Sequence, residues 1–277
     1  MPAPLVLILG AGELGTACAL RLTRAGLSVF LMEEEKPFDI YQARAFSSAA
    51  FMGSRTIEGI TVRTMADAID QNIIPEKATT AEFISYESAN REIALIHPSQ
   101  WDEIQSLKFH YVVATKTSLF SHERFAKWKV IGFSGEIDVV NFSYTVCDQG
   151  LFMGRVIYPF LAEHIQRQAG RIRDEKPGQR IKAPIEGIFE ARKQINDIVY
   201  EKDVLASIAG IPILSPERGR VTGLLNSGVI VPAGLEFMEI SPLHSQVNGT
   251  VIPPGSFAQA GAVLEAILFD RQLDADK

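Results

Sequence analysis

The chain has 277 residues, and at about 150 residues per domain that length suits roughly two domains. Hydrophobic residues make up 47% and charged residues 22%, with 21 Gly and 14 Pro, a globular composition that excludes a disordered or collagen-like chain. The 27 Lys+Arg against 33 Asp+Glu leave a formal charge of -6, which excludes a strong overall field for collecting nucleic acid or anionic membrane.

Two cysteines, Cys18 and Cys147, cannot build a disulfide framework and lack the paired spacing of a zinc site. A reduced, cytoplasmic compartment is therefore expected. The opening MPAPLVLILGAGELG lacks a basic leader and meets a glycine loop after five apolar residues, so no signal peptide is read there. No run reaches the roughly 20 apolar residues that span a bilayer. Asn141 and Asn248 begin Asn-x-Ser/Thr sequences, which read as chance matches in that compartment.

In chain order, residues 5–9 (LVLIL) form a short apolar run, the pattern of a strand buried on both faces of a parallel sheet. Leu14, Ala17, Cys18, Leu22 and Ala25 then recur at helical spacing, with Gly26 where a C-terminal cap belongs. A second apolar run, Val29 to Met32, ends in Glu33-Glu34-Glu35. Strand, glycine turn, helix and strand make a βαβ unit with a right-handed crossover. Further on, helices are expected near 39–50, 64–71 and 99–107, an extended segment near 56–63, and strands at 92–96, 110–115, 129–133 and 137–146. The alternation fits a doubly wound sheet whose later strands are open to mixed direction. The polar stretch 166–180 reads as a linker, placing the domain division near 175.

Residues 181–242 read as short β segments between Pro, Gly and Asn. They contain a repeat at an offset of 32 residues: Pro184 matches Pro216, Gly187 matches Gly219, and Val199 matches Val231. Asn196 falls opposite Gly228, as suits a residue tolerant of positive φ, whereas Lys202 opposite Gly234 has no such simple reason. Two similar β units sharing one core predict a small two-fold sandwich or barrel. A last apolar helix is expected within 258–269.

The strongest motif is GAGELG: Gly10, Gly12 and Gly15 stand in GxGxxG spacing after a strand and open a helix. The first Gly makes the turn, the second admits a pyrophosphate to the backbone, and the third lets helix and strand pack closely. Glu13 and Leu14 lie at the helix N-terminus, where free N–H groups and the dipole favour phosphate. Glu33, 18 residues past Gly15, is placed to bond both hydroxyls of an adenine ribose. Three consecutive carboxylates favour NAD over NADP. The alternative is a tight strand–helix turn in a Rossmann-like fold without a ligand.

For catalysis the search is mostly negative: the chain has no phosphate-loop motif, HExxH, GxSxG or CxxC. The five histidines share no metal-ligand spacing. His122 in Ser121-His122-Glu123-Arg124 reads better as a solvated loop residue than as a ligand contact, Glu136 and Asp138 better as a strand end than as an acid–base pair, and Cys147 beside Asp148 better as packing than as a nucleophile. The segments 183–189 (APIEGIF) and 195–208 (INDIVYEKDVLASI) resemble half of a biotinyl or lipoyl carrier domain, but the connection Ser207-Ile208-Ala209-Gly210-Ile211-Pro212 holds no lysine, so neither biotin nor lipoate is expected.

Taken together, GAGELGTACALRLTRAGLSVFLMEEEKP at 10–37, IEGITVR at 57–63, GRVIY at 154–158, KAPIEGIFEARKQINDIVYEKDVLA at 182–206, SPERGRVTGLLNSGVIVPAGLEFMEISP at 215–242 and AGAVLEAIL at 260–268 resemble the accessory (maturation) proteins of selenium-dependent molybdenum hydroxylase systems. The chain is divergent within that resemblance. Tyr41-Gln42 replaces an Arg-Arg pair, Gly132-Phe133-Ser134-Gly135 a Gly-Pro-Gly-Phe-like loop, and Asp148-Gln149-Gly150 an Arg-Gly-His segment.

The resemblance implies an α/β Rossmann-like domain, here 1–170, followed by a small all-β barrel-sandwich (biotinyl/lipoyl-like) domain at 178–243 and a C-terminal helix at 255–270 that packs back. It implies an accessory protein, while the glycine motif and Glu33 place the expected NAD or other nucleotide at Gly10, Gly12, Glu13, Leu14, Gly15 and Glu33, and the cysteine usage the cytoplasmic compartment. A molybdenum hydroxylase or its maturation proteins would be partners, and self-association is open. An NAD-dependent oxidoreductase and a non-catalytic docking scaffold are the alternatives; no metal, nucleic acid or membrane is expected.

Overall fold

The run Leu5–Leu9 forms strand β1 and pairs in parallel with β2, Ser28–Met32, across helix α1, Glu13–Arg24. In this computed structural model, residues 4–134, 142–158 and 178–275 are described and divide into two units. The first holds 4–35, 46–134, 142–158 and 254–275; the second holds 36–45 and 178–253. Glu136, Asp138, Asn141, the start of the strand expected at 137–146 and most of the 166–180 linker lie outside the described residues.

Helix α1 stops as its sequence requires. Gly26 takes φ +84, Leu27 N–H donates to the Leu22 carbonyl at 3.1 Å and Gly26 N–H to that of Thr23 at 3.0 Å, the paired bonds of a glycine C-cap. Strands β3 (Ser54–Ile57) and β4 (Ile60–Thr64) form a hairpin over Glu58-Gly59, both at positive φ, as a two-residue turn between right-twisted strands demands. Helices α3 (Met65–Asp70) and α4 (Thr80–Ala89) precede β5 (Ile93–Ile96), and α5 (Trp101–Ile104) precedes β6 (Tyr111–Ala114). Helix α6 (His122–Phe125), β7 (Lys129–Phe133), β8 (Tyr144–Val146) and β9 (Val156–Ile157) follow.

The nine strands order as β3-β4-β5-β2-β1-β6-β7-β8-β9. From β4 to β8 every pairing is parallel, while β3 and β9 add antiparallel edges. Within it, β5-β2-β1-β6-β7-β8 is the 3-2-1-4-5-6 order of a dinucleotide-type sheet, so the first unit is α/β and Rossmann-like. Phe30, Phe83 and Phe125, each fully buried, join Leu7 and Leu9 in its core. Phe109 stacks on Trp128 at 4.5 Å between ring centroids.

The structure departs from the expected elements at several points. The helix expected at 39–50 is broken into 3-10 turns at Gln42–Arg44 and Phe46–Ser48 and a short α2, Ala49–Met52. Residues 36–45 group with the second unit: Leu224 N–H donates to the Ile40 carbonyl at 2.6 Å, and the Tyr41 hydroxyl donates to Glu239 at 2.7 Å. Those nonlocal bonds outcompete a local helix. Helix α4 forms where no helix is expected; Thr79 and Glu82 make a reciprocal capping box at its start, a signal present in the sequence.

The C-terminal helix, Pro254–Ala275, is longer than the expected 255–270. It is fastened within the first unit by Asp270, whose carboxylate accepts from Lys129 Nζ at 2.6 and 2.7 Å and from the hydroxyls of Tyr111 and Tyr144 at 2.8 Å each. Burial opposes ionisation of Asp270, but Lys129 and the two tyrosines prevail and hold its carboxyl below the usual aspartate value.

The second unit has two four-stranded sheets. One orders as β10 (Gln179–Lys182), β17 (Glu236–Ser241), β15 (Gly219–Leu224), β12 (Ile198–Val199); the other as β14 (Ile211–Leu214), β13 (Val204–Ile208), β11 (Gly187–Ala191), β16 (Ile230–Val231). Shifting residue numbers by 32, upward in the first repeat and downward in the second, converts one pairing set into the other. Phe189↔Ile208 becomes Val221↔Ile240, Ile188↔Ile230 answers Arg220↔Ile198, and Ile208↔Ile211 answers Ile240↔Gln179. The two halves thus exchange strands about a pseudo-two-fold. Asn196 and Gly228 take φ +72 and +87, and Lys202 and Gly234 take +69 and +85. The lysine therefore occupies the left-handed turn its repeat mate fills with glycine.

Two outcomes test these contacts. Asp270→Ala should cost about 2–4 kcal/mol in denaturant unfolding, because three donors lose a buried acceptor; wild type should lose that increment only as pH falls through the depressed Asp270 value, since a lowered pKa stabilises the fold above it. Lys202→Gly should raise stability by about 0.5–1 kcal/mol by relieving a left-handed non-glycine residue; a destabilised variant would show that this turn carries no strain.

Candidate functional site

The sheet order reverses at β1, between β2 and β6, and in such sheets ligands bind outside the carboxyl ends of the strands at that point. The residues gathered there are the glycine loop after β1, Glu33 and Glu34 after β2, and Thr115 and Lys116 after β6.

Gly10 has φ +100, and a Cβ on it would meet Lys116 Cβ at 2.7 Å and Thr115 Oγ1 at 2.8 Å. At Gly15 a Cβ would stand 2.0 Å from the Gly10 carbonyl oxygen. Gly15 thus serves the close helix–strand approach expected of a third glycine. Gly12, extended at φ -63 and ψ -172, is the N-cap of α1 and provides no side-chain cap. Thr16 braces the loop from inside: its hydroxyl donates toward the Gly12 and Ala11 carbonyls at 2.8 and 3.1 Å and accepts from Phe46 N–H at 2.8 Å. Ser47 N–H donates to the Ala11 carbonyl at 2.8 Å.

Of the other expected residues, Leu14 is half-buried and the Glu13 carboxylate accepts from Ser256 Oγ at 2.7 Å. Glu33 is 3% exposed. One carboxylate oxygen accepts from the loop amide of Ala11 at 2.8 Å; the other accepts from Glu34 N–H at 2.9 Å and from Lys116 Nζ at 2.6 Å. The structure thus brings Glu33 to the loop, with its oxygens turned to backbone amides and a lysine. Lys116 also pairs with Glu34 at 2.9 Å, and Ser118 Oγ donates to Glu34 at 3.2 Å. Burial pulls the Lys116 pKa down, but Glu33 and then Glu34 more than offset it, leaving it above the ordinary lysine value.

Lys116 is the residue of this cluster that the sequence by itself does not single out. Its signal was weak: a lysine just past the apolar strand at 110–115 becomes informative only when β6 is known to neighbour β1.

The remaining candidates do not gather at this loop. His122 is exposed at the start of the short α6. Buried Cys147 directs its thiol to the Gln149 carbonyl at 3.3 Å, and Asp148 accepts from Ser134 Oγ at 2.8 Å at the ends of β8 and β7. The Cys18 thiol is fully buried, which pushes its pKa up to about 12. Tyr41, in the second unit, carries the Arg44 guanidinium over its ring at 4.4 Å. Among the described residues, no group of three or more His, Cys, Asp or Glu could hold a metal ion, and no helix is long and apolar enough to cross a membrane.

By its own topology the first unit is a Rossmann-like α/β fold with a glycine-rich turn at the switch point. No family model matches the chain. The protein YqeB of Escherichia coli strain K12, described as uncharacterized, is 31% identical over 269 residues, which are 95% of this chain and 47% of that protein. The chain thus spans about half the length of the curated relative it matches. Among solved structures, Escherichia coli tRNA N6-threonylcarbamoyladenosine dehydratase, TcdA, in complex with AMP aligns over 99% of this chain and 88% of its own, at 13% identity and TM-score 0.34. An aspartoacylase family protein from Mesorhizobium loti aligns over 86% of this chain and 85% of its own, at 14% identity and TM-score 0.27.

The loop geometry predicts that Gly15→Ala will unfold the chain or destabilise it by about 3 kcal/mol or more, because a methyl 2.0 Å from a backbone oxygen forces α1 off β1. Thermal unfolding reads this; a shift below about 1 kcal/mol would show that the helix slides freely.

Proposed function

We propose that the chain is a nucleotide-binding accessory protein, with its ligand seated at the carboxyl ends of β1, β2 and β6. The observation that carries this reading is the glycine turn itself: Gly10 at positive φ and Gly15 against the Gly10 carbonyl set an α1 N-terminus at the point where the strand order reverses. Such a terminus presents N–H groups and a partial positive charge to phosphate, while Glu33 supplies an acceptor for ribose hydroxyls. NAD or another nucleotide fits the same loop. In this reading the ligand is bound and handed over rather than turned over.

The sequence resemblance to molybdenum hydroxylase accessory proteins supports placing this binding in maturation of such an enzyme in the cytoplasm, with that enzyme or its maturation proteins as partners. A pterin dinucleotide belongs among the ligands to be tried. The 32-residue symmetry of the strand pairings supports reading the second unit as a biotinyl/lipoyl-like barrel sandwich. Its Ala209-Gly210 hairpin, at φ +49 and +78, carries no lysine to modify, which supports a shared fold without biotin or lipoate.

Calorimetry and thermal shift against NAD, NADP, ATP, CTP and a molybdopterin dinucleotide test the reading. Saturable binding of at least one is expected, lost in Gly12→Val with the fold retained. No shift with any nucleotide, or unchanged affinity in that variant, overturns it. NAD binding with oxidation or reduction of the nicotinamide by a substrate would instead favour an oxidoreductase.

A further inference from the structure

We infer that Lys116 is the phosphate-sensing residue of the glycine-loop crevice, holding Glu33 until a nucleoside phosphate draws its ammonium away and leaves Glu33 open to the ribose hydroxyls. This rests on the nucleotide-binding reading above and deepens it.

The geometry carries it. Glu33 is the only described residue of the β2 end whose carboxylate reaches the glycine loop, through the Ala11 amide at 2.8 Å. Its other oxygen, the one not turned to the loop, bears Lys116 Nζ at 2.6 Å. Ribose hydroxyls seeking Glu33 therefore meet an oxygen already shared by the Glu34 amide and an ammonium. The Lys116 side chain is 29% exposed while that of Glu33 is 2% exposed, so the cation has freedom to leave and the carboxylate does not. Lys116 starts beside Gly10, where a Cβ on the glycine would be 2.7 Å from Lys116 Cβ, so its flexible stem begins at the turn on which a phosphate would rest. A lysine ammonium is a mobile point charge suited to phosphate.

The exchange balances electrostatically. With Lys116 on Glu33 and Glu34, one cation serves two carboxylates. When the ammonium moves to phosphate, Glu33 keeps the Ala11 and Glu34 amides and gains ribose hydroxyl donors. A ligand with the ribose but no phosphate has nothing to offer the displaced ammonium, so it must break the ion pair uncompensated. The crevice should therefore prefer a nucleotide over its nucleoside because of Lys116, beyond whatever the helix N-terminus contributes.

The test compares AMP with adenosine by calorimetry on the full chain, in wild type, Lys116→Met and Lys116→Arg. Wild type should prefer AMP. In Lys116→Met, AMP should weaken about tenfold or more while adenosine tightens severalfold, and Lys116→Arg should keep the preference. The wild-type chain gives a reading that needs no variant: raising ionic strength should weaken AMP and leave adenosine unchanged or tighter. An AMP preference unchanged in Lys116→Met, or parallel weakening of both ligands with salt, overturns the role of Lys116 while leaving nucleotide binding standing. If neither AMP nor any nucleotide of the wider panel binds wild type, the reading beneath it fails as well.

Discussion

The buried carboxylate of Glu33 is the constraint around which the carboxyl edge of the sheet is organised. A carboxyl group at 3% exposure is costly to bury unless its oxygens find donors. Here the donors come from three strand ends: the Ala11 amide after β1, the Glu34 amide after β2 and Lys116 after β6. Satisfying this one side chain therefore aligns the glycine loop with the switch point. On the proposed nucleotide-binding reading the same carboxylate is the acceptor a ribose would need, so local stability and ligand recognition would compete for it.

The loop owes its shape to a second close approach. Because Gly15 lies against the Gly10 carbonyl, α1 starts nearer β1 than any side chain would permit, and Thr16 and the 46–47 segment lock the loop from behind. Asp270 does related work at another edge, where Lys129, Tyr111 and Tyr144 share one carboxylate and fix the C-terminal helix within its unit.

The second unit shows how duplication constrains backbone more strongly than side chain. Strand pairings repeat at 32 residues, and so do two left-handed turns, although one position is Lys202 in one half and Gly234 in the other. The turn conformation is imposed by the strands on either side. Lys202 N–H donates to the Ser215 carbonyl, and Asp203 accepts from Tyr200 N–H and Lys193, so the surrounding bonds hold a residue whose own preference lies elsewhere. What looked like an exception to the repeat is thus a residue overruled by its neighbours.

The sequence by itself determined the βαβ start, its glycine spacing, the later strands near 92–96, 110–115 and 129–133, the duplicated β unit and the terminal helix, because each rests on local periodicity or on backbone freedom that only particular residues allow. Tertiary structure decided what depends on distant partners. The 36–45 segment leaves its expected helix because Ile40 and Tyr41 bond to Leu224 and Glu239. Lys116 becomes a neighbour of Glu33, 83 residues away in sequence, only because β6 lies beside β1. A charge pattern names the groups able to form such a pair, but strand order alone selects which of them meet.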